Sequence, residues 1–412
     1  MRSLENLDLL PEPEDHRILT AIDNQALGYS GDDYGLTEEE AKQLRWPLGP
    51  MRKSETPTGA IFFSILTLLL IAGWPWVNSY LIPILPDSEW AYEDTGIRQL
   101  QSEGYFGQGV HVCIVDTGID MSHPDFSHQQ LLGFRDFVGG NHELVRDVGE
   151  SSHGTLMAGI LISNGTFRGV APEVGLSVAL ALDSEGTSGS TDRVAQAIRW
   201  CRITQKVDII SLSLGGSPSD LTSNIDSQTN LAVQEALDSG IFVVAAAGNT
   251  GLDLDISDVS QPSSLPGVIS VGAISKSGYV WGSSAFGSSI DPVTGNERDF
   301  PNQKPEVVAP GVNIFSTASS TLSSPYAYSS GTSDSTVFVT GALALIIQQC
   351  RDSIEGSDGY IDEDEMRLVK HALARSSDRS SFESANHNSH SGYGTLDLVK
   401  WSQEISFTFN VQ

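Results

Sequence analysis

The chain has 412 residues, a length that suits one large domain with additional segments. Its 52 acidic and 23 basic side chains give a formal net charge of −29, which excludes the basic footprint of a nucleic-acid-binding protein and fits a highly solvated surface. The three cysteines, Cys113, Cys201 and Cys350, each lie in an apolar stretch. So small and odd a number predicts buried free thiols and no disulfide framework.

Two segments precede the region that alternates strands with helices. Residues 1–55 are polar and acidic and predict a cytoplasmic tail, either loosely ordered or docked on a partner in a membrane complex. Residues 56–86 carry no charge and predict one transmembrane helix, with residues 59–82 in contact with the lipid bilayer. A cleaved signal peptide is disfavoured, because a long polar stretch precedes the apolar run and no A-x-A site follows it.

The basic residues near this apolar run lie on its N-terminal side, and acidic residues follow it. The positive-inside rule then predicts a single-pass protein with its N-terminus in the cytoplasm. The rest of the chain is expected outside the cytoplasm. Residues 87–107 are interpreted as a linker and the start of the main domain, which occupies residues 108–412.

From residue 108 the sequence alternates short apolar runs with amphipathic helical patterns, for example at residues 191–203 and 229–240. Near-continuous Val, Ile and Ala runs predict strands that are covered on both faces. The predicted strands lie at residues 110–118, 176–182, 207–216, 241–249 and 268–274. This alternation predicts an α/β fold with an open, mostly parallel sheet and helices on both faces. Active sites in such sheets lie at the carboxyl ends of the strands.

Four polar residues lie at the ends of predicted strands or at the starts of predicted helices: Asp116, His153, Asn249 and Ser333. Each taken alone is more simply explained as a turn or capping residue. Together they supply the parts that acyl transfer requires, namely a nucleophilic hydroxyl, an imidazole base, a carboxylate that orients the base and a donor for the oxyanion. The set therefore predicts nucleophilic catalysis.

The segments VDTGID, SHGTLMAG, SLSLGG, AAAGN and SGTSDSTVFVTG occur in that order. They closely resemble the motifs of the subtilisin-like (S8) serine peptidase family, including its Asp, His, Ser chain order. Further matches are GVAP, VISVGAI, KPEVVAPGVNIFST and GYGTLD, so that the resemblance covers residues 90–400.

The resemblance implies a role for each motif residue. Asp116 would orient the base, His153 would be the general base and acid, and Ser333 would be the nucleophile. The Asn249 side chain and the Ser333 backbone N–H would donate to the oxyanion. Segments that resemble the walls of the family's S1 pocket imply a substrate-binding site open to an apolar side chain, formed by Ser213, Leu214, Gly215, Ala245, Ala246, Ala247 and Gly248.

The nucleophile helix departs from the family pattern GTSMAxPHVAG, because Asp334 replaces its Met. A carboxylate beside the oxyanion site would oppose the negative charge that forms there. One position along a helix turns the side chain by about 100°, however, so that Asp334 need not point where Ser333 points. An acid in the first turn is also favoured by the helix dipole.

No cofactor is expected. The acidic stretch at residues 253–258 is a candidate for structural calcium, although a solvated acidic loop is the simpler interpretation. Too few residues separate the apolar run from the domain start for a prodomain of several dozen residues. We therefore expect no such prodomain and a mature protein that keeps its anchor.

Three hypotheses follow. The first is a membrane-anchored serine endopeptidase that hydrolyses protein or peptide substrates outside the cytoplasm. The second is a catalytically weak or inactive subtilisin-like subunit with a binding role in a membrane assembly, which Asp334 and the tail at 1–55 favour. The third is a serine-carboxyl peptidase, which the His153 and Asn249 motifs disfavour.

Overall fold

The computed structural model describes residues 58–81, 88–139, 144–186, 191–214, 224–253, 258–291, 294–320, 322–356, 359–379 and 386–410. The chain divides into two units, residues 1–85 and 86–412. In the first unit, helix α1 comprises Thr58–Leu81. The predicted tail and partner segment, residues 1–55, lies outside the described residues.

Among the described residues, no helix combines the length and the apolar character that crossing a lipid bilayer requires. The predicted localisation as a single-pass membrane protein is therefore wrong. The predicted anchor at 56–86 and the lipid contact through 59–82 are likewise not supported.

The second unit is built around a seven-stranded sheet with the order β2-β3-β1-β4-β5-β6-β7, in which all neighbouring strands are parallel. A separate antiparallel hairpin joins β8 to β9. The strands are β1 (His111–Asp116), β2 (Leu131–Asp136), β3 (Gly175–Leu180), β4 (Ile209–Leu212), β5 (Phe242–Ala246), β6 (Ile269–Ile274), β7 (Val307–Pro310), β8 (Ile314–Thr317) and β9 (Tyr326–Ser329).

Eight helices of the second unit surround these strands among the described residues. They are α2 (Glu89–Asp94), α3 (Ile97–Ser102), α4 (His153–Ile162), α5 (Thr191–Trp200), α6 (Asn224–Leu237), α7 (Thr332–Ile354), α8 (Glu363–Ser376) and α9 (Leu398–Asn410), with a short π-helical segment, Cys201–Gln205, directly after α5. Helix α7 packs across β4 to β7, whereas α5 and α6 pack on each other and contact β1 and β5 respectively.

The central strands are buried along their whole length, as in β5 and β6, where every residue is buried. Because successive side chains point to opposite faces, such continuous burial means that both faces of the sheet are covered. The α/β fold with a mostly parallel sheet is therefore confirmed, and the five predicted strands correspond to β1, β3, β4, β5 and β6.

The cysteine prediction is wrong for two of the three residues. Cys113 in β1 and Cys201 after α5 form a disulfide, whereas Cys350 is a buried free thiol. The bonded cysteines are 88 residues apart in sequence. They come together because α5 packs against β1, a tertiary contact that neither local sequence signals.

Candidate functional site

The four polar residues singled out in the sequence lie where elements begin or end. Asp116 is the last residue of β1, His153 the first residue of α4, and Ser333 the second residue of α7. Asn249 follows β5. Strand β1 has β3 on one side and β4 on the other, so that the chain changes direction across the sheet at β1. This is the topological switch point at which open parallel sheets form their sites.

Two glycines allow the end of β1 and the start of α4 to approach closely. Gly118 has φ +113°, and a Cβ there would lie 2.0 Å from the Arg146 carbonyl oxygen. A Cβ on Gly154 would lie 2.1 Å from the Gly118 carbonyl oxygen. Side chains at these positions would force Asp116 and His153 apart, so the local sequence keeps the two elements in contact.

Asp116 and His153 form the acid–base pair of the site. His153 Nδ1 lies 2.8 Å from Asp116 Oδ1, and the Asp116 side chain is fully buried while that of His153 is 29% exposed. Asp116 Oδ1 also accepts the backbone N–H of Thr117 over 2.7 Å. A carboxylate can only accept a hydrogen bond, so Nδ1 must carry the proton that it donates to Asp116. Nε2 is then the ring nitrogen available for proton transfer.

The same pair determines the basicity of the imidazole. Burial alone lowers the pKa of His153, but the charge of Asp116 and its hydrogen bond outweigh burial and raise the pKa to about 9. The charges of Asp334 and Asp147 act in the same direction. The resting imidazole therefore holds its proton more firmly than an ordinary histidine does.

Asp147 is a residue that the sequence interpretation missed, and it connects the elements that carry the pair. Its Oδ1 accepts hydrogen bonds from the Thr117 hydroxyl over 2.7 Å and from Gly149 N over 2.9 Å. Its Oδ2 accepts the Thr155 backbone N–H over 2.8 Å and the Thr155 hydroxyl over 2.6 Å. The carboxylate thus caps the first turn of α4 and holds it against the end of β1.

Ser333 lies opposite this pair on the first turn of α7. Its hydroxyl donates to the Ser213 carbonyl oxygen over 3.1 Å, and no hydrogen bond among the described residues joins it to His153. Both side chains line one cavity of about 450 Å³. Catalytic hydrogen bonds of this kind are often open in a free enzyme and close when substrate binds.

Asn249 is held with a defined orientation of its amide. Thr332 donates its backbone N–H and its hydroxyl to Asn249 Oδ1, each over 3.0 Å. The Thr332 hydroxyl accepts from Gly248 N over 3.1 Å. Because a backbone N–H can only donate, the atom that faces Thr332 must be the amide oxygen, which leaves Nδ2 as a donor.

The two expected oxyanion donors flank the same position. A Cβ added to Gly331 would lie 3.4 Å from Asn249 Nδ2 and 3.6 Å from Ser333 N. Ser333 N is also one of the first-turn N–H groups of α7, which have no partner within the helix. The arrangement provides converging donors and the positive end of a helix dipole beside the nucleophile.

Asp334 lies next to the nucleophile but outside the cavity lining. Its side chain is 1% exposed, and the Ser329 hydroxyl donates to its Oδ1. Burial raises the pKa of Asp334 to about 7, although the bond from Ser329 and the charge of His153 favour the ionised form. Ser333, in contrast, faces the cavity.

The predicted substrate-binding residues are distributed unevenly. Ser213, Leu214, Ala246 and Gly248 line the cavity, whereas Ala245 and Ala247 are buried and are not among its lining residues. Gly215 lies outside the described residues. The sequence analysis did not assign the other lining residues to the site: Thr117, Gly149, Ser151, Leu182, Ser184, Glu185, Gly186, Thr250, Ser260 and Thr332.

Within the described residues, no group of three His, Cys, Asp or Glu side chains is placed to hold a metal ion. Residues 254–257 of the calcium candidate lie outside the described part of the chain. Asp258 at its end is buried and pairs with Arg298 over 2.8 Å.

Comparison with known proteins gives a consistent result. The model of the subtilase family (Peptidase S8) matches residues 107–394. The "Major intracellular serine protease" of Bacillus subtilis is 36% identical over 254 residues, which are 60% of this chain and 71% of that protein. Subtilisin NAT of Bacillus subtilis subsp. natto is 36% identical over 273 residues, which are 64% of each chain. The match therefore spans just under two thirds of that relative.

Two further similarities complete the comparison. The "Intracellular serine protease" of Paenibacillus polymyxa is 38% identical over 272 residues, 63% of this chain and 74% of that protein. The structure of the prenylagaramide maturation protease PagA has a TM-score of 0.58 at 22% identity and covers 75% of this chain and 98% of that chain, a likeness of fold. Two of these relatives are named as intracellular proteins.

Proposed function

The chain belongs to the subtilase family as a subtilisin-like serine endopeptidase, and on this premise we propose that it cleaves peptide bonds through an acyl-enzyme on Ser333. The observation that carries the proposal is the 2.8 Å contact between Asp116 Oδ1 and Nδ1 of His153, whose side chain lines the same cavity as Ser333 and Asn249. Residues 108–412 would form the peptidase domain.

The proposed reaction begins with proton transfer from Ser333 Oγ to His153 Nε2. Rotation of the hydroxyl away from Ser213 O precedes this step, because Oγ donates to that carbonyl at rest. As Oγ bonds to the scissile carbonyl carbon, the carbonyl oxygen becomes an oxyanion. His153 then returns the proton to the leaving amine as the C–N bond breaks. Water repeats the sequence to release the acid and restore Ser333.

Asp116 and Asn249 support the two charged species of this reaction. The buried carboxylate of Asp116 stabilises the imidazolium and holds its tautomer. Asn249 Nδ2 and Ser333 N would donate to the oxyanion, with the amide already oriented by Thr332. Such donors lower the barrier because they need no reorganisation when the charge forms.

The substrate is proposed to be a protein or peptide chain that places one side chain beside Leu214, Ala246 and Gly248. These small or apolar residues suit an apolar side chain of the substrate. The cavity also contains Glu185, the one acidic side chain in its described lining.

The experiment that tests this function is covalent labelling by a fluorophosphonate probe. In the reaction, Ser333 Oγ bonds to phosphorus, fluoride leaves, and His153 takes the hydroxyl proton. We expect labelling of the wild type and none of Ser333→Ala. Ser335→Ala is the matched control, because that buried hydroxyl two residues on donates to Ala309 O and is not among the residues that line the cavity. Folded wild-type protein that stays unlabelled would contradict the proposal.

A second candidate function is a catalytically weak or inactive subtilisin-like protein with a binding role. The buried carboxyl of Asp334 favours it, because the family pattern has an uncharged Met at that position. Binding of a peptide in the cavity by Ser333→Ala and wild type alike, without turnover by either, would support this candidate.

A further inference from the structure

We propose that Asp334 is an electrostatic brake on the proposed reaction: its ionised carboxylate opposes the oxyanion and keeps the proton on His153. The inference rests on the proposed function of Ser333 and deepens it. Asp334 is assigned as a residue whose charge acts on His153 and on the oxyanion, without contacting the substrate itself.

The first observation is the position of the carboxyl group. Asp334 follows the nucleophile directly and is 1% exposed, so water screens its charge little. Its Oδ1 accepts from Ser329, at the end of β9, which closes the turn that carries Gly331, Thr332 and Ser333. The carboxyl is therefore fixed with respect to the nucleophile.

The second observation is the distance to the oxyanion donors. A Cβ on Gly331 would lie 3.6 Å from Asp334 Oδ2, 3.4 Å from Asn249 Nδ2 and 3.6 Å from Ser333 N. Atoms that surround one point at these distances are no more than about 7 Å apart. A negative charge on Asp334 is thus close to the position at which the reaction develops another negative charge.

The third observation is the set of charges around His153. Asp116 at the end of β1, Asp147 before α4 and Asp334 on α7 all stabilise the imidazolium. No Lys or Arg is among the residues that line the described cavity. Two neighbours in turn favour the ionised form of Asp334: His153 through its charge and Ser329 through the hydrogen bond from its hydroxyl.

These contacts place two requirements of catalysis in conflict. General-base catalysis needs a neutral His153, whereas an unopposed oxyanion needs a neutral Asp334. The pKa of His153 is raised to about 9 and that of Asp334 to about 7. At any pH high enough to free the imidazole, the carboxyl is therefore already ionised. An uncharged residue at position 334 would leave the oxyanion unopposed and would free His153 of its proton at lower pH, while giving up the stabilisation that Asp334 provides to the imidazolium formed during the reaction.

The size of the effect follows from Coulomb's law. The oxyanion lies a hydrogen-bond length of about 3 Å from its donors, so its charge is within about 10 Å of Asp334. Two unit charges about 7–10 Å apart at an effective dielectric constant of about 20 change a rate by on the order of 10- to 50-fold. The same charge acting on His153 is expected to move its pKa by about one pH unit.

The test is the second-order rate constant of fluorophosphonate labelling, measured from about pH 5 to pH 10 on the full chain. The variants are Asp334→Asn, which keeps the shape of the side chain, and Asp334→Met, which restores the family residue. Ser335→Ala serves as the uncharged control on the same helix, and Ser333→Ala as the blank. Circular dichroism and thermal unfolding identify variants that fold.

We expect Asp334→Asn to react on the order of tenfold faster at pH 7 and to show its acidic limb about one pH unit lower. Asp334→Met should behave alike, and Ser335→Ala should match the wild type. Equal or slower labelling of folded Asp334→Asn and Asp334→Met, with an unshifted acidic limb, overturns the inference while leaving Ser333 a nucleophile. If no variant is labelled, the proposed function itself fails.

Discussion

Replacement of Asp147 by Asn tests whether one carboxylate holds the two elements of the acid–base pair together. Asp147 accepts four hydrogen bonds, from Thr117, Gly149 and twice from Thr155. An Asn keeps the acceptor at Oδ1 but places an NH₂ group against the Thr155 backbone N–H, so that two donors face each other.

The expected cost follows from the bonds that are lost. A hydrogen bond to a charged group contributes about 1.5–3 kcal/mol, and the Thr155 hydroxyl can turn to accept from the new amide. Because Asp147 is only partly buried, we expect a loss of about 2 kcal/mol in the free energy of unfolding. For a domain of about 300 residues the melting temperature should then fall by roughly 3 °C.

The assay is thermal unfolding of the purified chain beside a matched substitution, Asp364→Asn. Asp364 lies in the first turn of α8, its side chain is 76% exposed, and it pairs with Arg367 over 2.8 Å. Exposed pairs of this kind contribute at most about 1 kcal/mol. If Asp147→Asn lowers the melting temperature no more than Asp364→Asn does, the proposed bridging role of Asp147 is refuted.

Two other substitutions address the oxyanion site and the buried charges. Asn249→Leu should lower kcat by about 10²–10³, the loss that such a donor causes in subtilisin, with little change in KM; an unchanged kcat would exclude Nδ2 as a donor. Lys304→Met should flatten the rise in unfolding free energy with pH between about 7 and 10, measured by urea unfolding at several pH values. If the unfolding free energy of this variant rises with pH as steeply as that of the wild type, Lys304 is not the group responsible.

The sign of the second effect follows from proton binding. Burial lowers the pKa of Lys304 to about 7, despite the charge of Glu306 2.8 Å away, whereas an unfolded lysine has a pKa of about 10.4. Between these values the unfolded chain binds more protons, so the folded state gains stability as pH rises. Lys370 also contacts Glu306, over 2.7 Å, so Lys304→Met leaves one lysine for one glutamate.

The motif residues could be predicted because each follows a strand or begins a helix with a strong local pattern. Asp116 ends a buried strand and Asn249 follows one, and the parallel sheet brings such strand ends to one edge. Asp147 could not be found in this way, because its function depends on Thr117 and Thr155, which meet it only in the folded chain. Glu185 is a similar case, because only the folded chain brings its loop to the cavity that His153 and Ser333 line.

The errors of the sequence analysis have the same origin. The number of cysteines does not record which elements pack against each other in the folded chain. The disulfide between Cys113 and Cys201 requires the contact of α5 with β1, and this contact cannot be inferred from composition. The departure at Asp334, by contrast, was visible at once, since the motif around it is otherwise continuous.

The contact between Thr332 and Asn249 has a consequence for how this site can change. The residue directly before the nucleophile orients the amide of the oxyanion site through two bonds. The Ser333 hydroxyl and the Asn249 amide are therefore both positioned by the first turn of α7. Substitutions that shift this turn will alter both together, so evolution or design can adjust the attack geometry here only by adjusting charge stabilisation with it.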